Sequence, residues 1–160
     1  MRLVRSPKSA NASHSYVFQI TEQEKDLLLA TLKLYPMLET SHHKISKNSK
    51  SAETAAAQEW LEEAMEQQRR DHKKRLAQFF NTDNRFFKSS QGELRFTLTG
   101  EQMEWMLRIL NEIRVGSWVR LGRPEVDVAR RIPLTSASAR LFAAMELSGQ
   151  FQAYLLEAFS

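Results

Sequence analysis

One local scheme, Phe-x-aliphatic-Thr-x-x-Glu/Gln, occurs twice in this chain and constrains its fold more than any other feature. The first copy is Phe18-Gln19-Ile20-Thr21-Glu22-Gln23-Glu24 and the second is Phe96-Thr97-Leu98-Thr99-Gly100-Glu101-Gln102. In each, a short run with strand alternation meets a threonine whose side chain can accept from the backbone N–H three residues on. The Glu or Gln at that position can bond back to the threonine's own N–H, which is the capping-box arrangement. Two strands therefore feed two helices. Neither strand is stable alone, so the two are expected to pair at one end of a helical bundle. Two uses of a common strand-to-helix junction explain the echo more simply than an old duplication.

Around these junctions the chain reads as helix. The first runs from Thr21 through Leu27, Leu28 and Leu32 towards Tyr35 and Pro36. A second, capped by Ser51, extends to about Phe80 on good helix formers with no Gly or Pro inside. Asn81 to Ser90 reads as a turn region. The third helix starts at Thr99 and is stopped by Gly122-Arg123-Pro124. After one helical turn near Val126 to Arg130, a last helix starts at Ser136 or Ser138 and reaches Phe159. The expected fold is mainly α: a single domain of about four main helices with a small two-stranded β element, and residues 36–50 as a flexible loop. At 160 residues, 42% of them hydrophobic and 26% charged, the chain can bury one core.

Composition narrows the chemistry. With no cysteine, disulfides, thiolate metal sites and cysteine nucleophiles are excluded. Five glycines leave little for a phosphate cradle, and the phosphate-loop, dinucleotide, His-Glu-x-x-His and Gly-x-Ser-x-Gly patterns are missing. His42-His43 supply no third metal ligand, so no metal or cofactor is expected. No apolar run approaches a membrane span and the first fifteen residues are polar, so a cytoplasmic location is expected and no membrane contact.

Polar residues on apolar faces are the candidates for function. In the third helix, Met103, Met106, Leu107, Leu110, Ile113, Trp118 and Leu121 form a stripe with Arg114 near its middle and Asn111 at its edge. A buried arginine must find a carboxylate or snorkel. Arg114 is therefore expected to be a buried staple, with a bound carboxylate or phosphate as the sharper alternative. In the second helix, Gln68 and His72 fall inside the stripe of Leu61, Met65, Leu76 and Phe79. If the two helices touch, Gln68, His72, Asn111 and Arg114 would form one polar layer. Catalysis by His72 is disfavoured, because no nucleophile stands near it in sequence.

The net charge of +4 is mild, and its one basic cluster is Arg69 to Arg75, after an acidic half with Glu59, Glu62, Glu63 and Glu66. That order suits the helix dipole and a solvated face. Arg70, Lys73 and Lys74, with Arg2, Arg5 and Lys8, would carry nucleic-acid binding, but no groove-fitting element accompanies them.

Leu110-Asn111-Glu112-Ile113-Arg114 followed by Arg120-Leu121-Gly122 resembles the signature of an uncharacterised bacterial family, a domain of unknown function often encoded beside the adaptor protein of the Clp protease. The family pattern is Leu-Asn-Asp-aliphatic-Arg, then Gly-x-Arg-Leu-Gly. Here Glu112 replaces the aspartate and Trp118 stands in place of the first glycine. Met1-Arg2 with Val4-Arg5 is similar to the family's basic opening, and Phe151 to Phe159 to its closing helix. The resemblance singles out Asn111, Arg114 and Arg120 and implies no enzyme activity. It points to a binding or regulatory module linked to regulated proteolysis through a protein partner, with a homo-oligomer left open. A nucleic-acid-binding regulator is the alternative, and an enzyme ranks third.

Overall fold

The computed structural model describes residues 1–5, 15–38, 52–81, 85–125 and 132–159. In chain order these form strand β1 (Arg2–Arg5), strand β2 (Ser15–Gln19), helix α1 (Glu22–Leu32), helix α2 (Ala52–Asn81), strand β3 (Phe86–Lys88), strand β4 (Leu94–Thr99), helix α3 (Gly100–Arg120) and helix α4 (Ser136–Leu156). A single 3-10 turn (Glu157–Phe159) follows α4. The protein is mainly α. Lys8, His42, His43, the Ser51 cap, most of the expected 36–50 loop and the helical turn near 126–130 lie outside the described residues.

The junction reading holds at both sites. The Thr21 side chain accepts from the Glu24 N–H and the Thr99 side chain from the Gln102 N–H, each returned by the Glu or Gln side chain. A third capping box, Thr135 with Ser138, opens α4. At the other end of α3 the chain stops as Gly122 implied. Gly122 takes φ of 90°, its N–H donates to Val119 O, and the Arg123 N–H donates to Trp118 O. This is the Schellman closure, which the missing Cβ of Gly122 makes cheap.

β2 and β4 pair antiparallel with Phe18 opposite Phe96, as expected. The β element is larger than two strands, however. β1 adds to β2 and β3 to β4, giving a four-stranded sheet in the order β1-β2-β4-β3. Both extra strands are short edges. β1 is flanked by arginines, and β3 lies in the stretch read as a turn, so neither shows the alternation of a half-buried strand. The register aligns Leu3, Phe18, Phe96 and Phe86 in one row across all four strands. The Phe18 and Phe96 rings stack at 5.3 Å, and Phe96 meets Phe86 at 5.4 Å. That row, with Leu98, Met103 and Met106, forms the sheet end of the core.

α3 is the central helix. It packs along α4 for most of its length and touches α1 and β4. Small buried residues, Ser117 on α3 with Ala144 and Ser148 on α4, let the backbones come close. Gly116 does the same for the chain after α1: a Cβ there would collide with the Cβ of Met37. Among its described side chains, the buried ones of α2 are His72, Leu76 and Phe79 in its second half, while Trp60 in its first half is 76% exposed. No helix among the described residues is long and apolar enough to cross a membrane.

Candidate functional site

The second half of α2 turns one side towards α3, and Met65, Gln68 and Arg69 follow one another there at helical spacing. From α3, Arg108, Asn111, Glu112 and Val115 recur at the same spacing on the flank beside its buried stripe. These residues, with Tyr35 and Leu38 from the chain that follows α1, enclose a cleft of about 300 Å³. Its lining joins four largely apolar side chains to two guanidinium groups, two amides and one carboxyl, and Gln68, Arg108, Asn111 and Val115 are exposed.

Behind this cleft stands His72. The Tyr35 hydroxyl lies 3.1 Å from its Nδ1, and both side chains are buried. Burial pushes the Tyr35 hydroxyl up to about 12, helped by the Glu112 carboxylate and opposed by Arg69. The His72 imidazole is held below its ordinary value, first by burial and then by Arg75 and Arg108. Both directions favour the uncharged pair, a neutral phenol hydrogen-bonded to a neutral imidazole. Burial raises the Glu112 carboxyl above the ordinary glutamate value, and Arg69 partly offsets that.

Of the residues singled out from the sequence, the structure brings Gln68 and Asn111 into one cleft and sets His72 directly behind it. Arg114 does not join them. It is exposed and makes no ion pair with any described residue; its stem passes Gly149, where a Cβ would lie 3.8 Å from the Arg114 Nε. The buried-staple expectation is thus overturned, and the reason lies in the helical wheel. The buried side of α3 is Met103, Trp105, Met106, Ile109, Leu110, Ile113, Gly116 and Ser117. The stripe read from the sequence left out Trp105, Ile109, Gly116 and Ser117, which are buried, and counted Trp118, which is not, so its centre was rotated towards Arg114. Trp118 is in fact 40% exposed, with its indole N–H donated to Pro124 O at 3.1 Å. Arg120 is exposed at the end of α3, away from the cleft. Arg70, Lys73 and Lys74 are exposed on α2, and Arg70 is held by Glu66 and Gln67 of its own helix.

Tyr35, Arg69, Arg108 and Glu112 are the site residues that the sequence reading missed. The available signal was the i, i+4 spacing of Arg108 and Glu112, which becomes informative only once α2 is known to face them. A second recess of about 200 Å³ lies between the end of α2 and the start of α3, lined in part by Arg75, Arg85 and Trp105. Arg85 sits over the Phe79 ring at 4.4 Å. The Arg85 Nε and Trp105 Nε1 are buried there without a hydrogen-bond partner.

No family model matches the chain, and no curated protein or solved structure is detectably similar to it.

Proposed function

We propose that the protein is a binding module that holds a segment of a partner protein in the cleft between α2 and α3. The observation that carries this reading is the mixed lining itself: Tyr35, Leu38, Met65 and Val115 beside the polar groups of Gln68, Arg69, Arg108, Asn111 and Glu112. Apolar contact supplies affinity in such a cleft, while a few placed donors and acceptors select the partner. Arg69 and Arg108 suit an acidic or amide side chain of the incoming segment, and Glu112 suits a donor. An enzymatic reading has less support, since His72, the buried histidine among the described residues, is engaged through its Nδ1 with the Tyr35 hydroxyl. A connection to regulated proteolysis is supported by the signature around Asn111 and the gene neighbourhood it implies.

Affinity capture from the protein's own cells, comparing the parent with the Gln68→Ala/Asn111→Ala double variant, tests the reading. A protein retained by the parent after nuclease treatment and lost by the variant is the expected result. Retention of nucleic acid alone, equal for both and lost in Arg70→Ala/Lys73→Ala/Lys74→Ala, would replace it with the nucleic-acid alternative.

A further inference from the structure

Helix α2 carries most of its charge in two blocks, with Glu59, Glu62, Glu63 and Glu66 before Arg69, Arg70, Lys73, Lys74 and Arg75, the second interrupted by Asp71. The helix dipole explains little of this. Its influence fades within the terminal turns, and the last turn of α2 holds no basic residue. Contacts inside the helix explain little more, since the Glu66–Arg70 pair is solvent-exposed. Away from the core, Ala56, Trp60, Glu63, Gln67, Arg70, Lys74 and Ala77 recur at alternating intervals of four and three residues, and all are exposed. Residues at that interval share one face of a helix. This face lies across α2 from Leu76 and Phe79, which bind the core, and from Met65 and Gln68, which line the cleft.

We propose that this face is a self-association surface, on which α2 of a second copy lies antiparallel about a two-fold axis beside Gln67. In that register Ala56 meets Ala77 of the second copy, Trp60 meets Lys74, Glu63 meets Arg70, and Gln67 meets its own counterpart. Every contact off the axis occurs twice, as an isologous interface requires. Charge fixes the direction: a parallel pair would set Glu63 against Glu63 and Arg70 against Arg70, whereas the antiparallel pair neutralises both. Trp60, 76% exposed in the single chain, offers its ring face to the Lys74 ammonium. The alanines at the two ends let the helices close. A seam held mostly by charge is weakened by salt.

The test is the mass of the full chain in solution, followed against concentration by light scattering or sedimentation. The parent should approach twice the monomer mass as concentration rises and return towards the monomer at high salt. Glu63→Arg alone and Arg70→Glu alone should each remain monomeric, with circular dichroism confirming that they fold. An equimolar mixture of the two should regain the dimer, and so should the Glu63→Arg/Arg70→Glu double variant. In this chain without cysteine, Gln67→Cys should cross-link to its own counterpart on mild oxidation and Glu62→Cys should not. A parent that is monomeric at every concentration overturns the proposal. So does a dimer that the single reversals leave intact, or a mixture that fails to associate.

Discussion

Replacing Phe96 with alanine should be among the most damaging single changes available to this chain. Phe96 has no exposed surface and is the direct cross-strand partner of both Phe18 and Phe86. Removal of a fully buried phenylalanine ring costs about 3 to 5 kcal/mol, part of it for the cavity left behind. Two ring contacts, at 5.3 Å and 5.4 Å, place this site at the upper end, because each such pair adds about 0.5 to 1.5 kcal/mol beyond area. A loss of about 4 to 5 kcal/mol in a chain of this size lowers the thermal midpoint by roughly 8 to 20 °C. The control is the adjacent Phe87, 40% exposed on an edge strand, whose replacement by alanine should cost less than about 1 kcal/mol. Urea unfolding of both variants beside the parent, followed by far-ultraviolet circular dichroism, measures the difference. Equal costs at the two positions would refute the claim that the phenylalanine row is the sheet end of the core.

Gly116→Ala should destabilise by about 1 to 3 kcal/mol, although alanine is the better helix former, because the Met37 Cβ occupies the space and cannot rotate away. Urea unfolding showing a stabilised variant would exclude the close approach. Arg114→Ala and Arg114→Met should both unfold within about 0.5 kcal/mol of the parent, as exposed substitutions usually do; a large loss in either would restore the staple. Acid should weaken the fold through His72. Its folded imidazole is held below the ordinary value of 6.5, so its contribution is intact above that pH. As the pH falls below it, the unfolded chain takes up a proton that the folded chain refuses, and stability is lost. The raised Glu112 carboxyl acts in the opposite sense, adding stability as the pH falls towards 4.5. The urea midpoint should therefore drop just below pH 6.5 in the parent and drop less in His72→Asn; an identical pH profile would exclude the coupling.

The elements legible in the sequence were those whose signal is local. Thr21 and Thr99 announce their helices because the capping partners lie three residues away, and Gly122 announces its stop because only the next residues complete the closure. The pairing of Phe18 with Phe96 was legible because both follow from the same junction. β1 and β3 were not, since an edge strand gains its order from the neighbour it pairs with, and Phe86-Phe87 carries no alternation of its own. At the site, His72 could be read as buried from the stripe it shares with Leu76 and Phe79. Its partner could not, because Tyr35 reaches it across 37 positions of chain. Arg114 was misplaced for a different reason. A wheel drawn on large apolar side chains counts Trp118, which is exposed, and passes over Gly116 and Ser117, which are buried, so its centre falls nearer Arg114 than the buried side of α3 does.

The central claim is that partner protein enters between α2 and α3, and cross-linking from inside that cleft tests it most directly. A photoreactive phenylalanine analogue is placed at position 111, which lines the cleft, or at position 140, exposed on α4. Each variant is irradiated in the protein's own cells. The account predicts a discrete cross-linked protein species from position 111 that the Gln68→Ala change diminishes, with none from position 140. No species from position 111, or the same species from both positions, would contradict it.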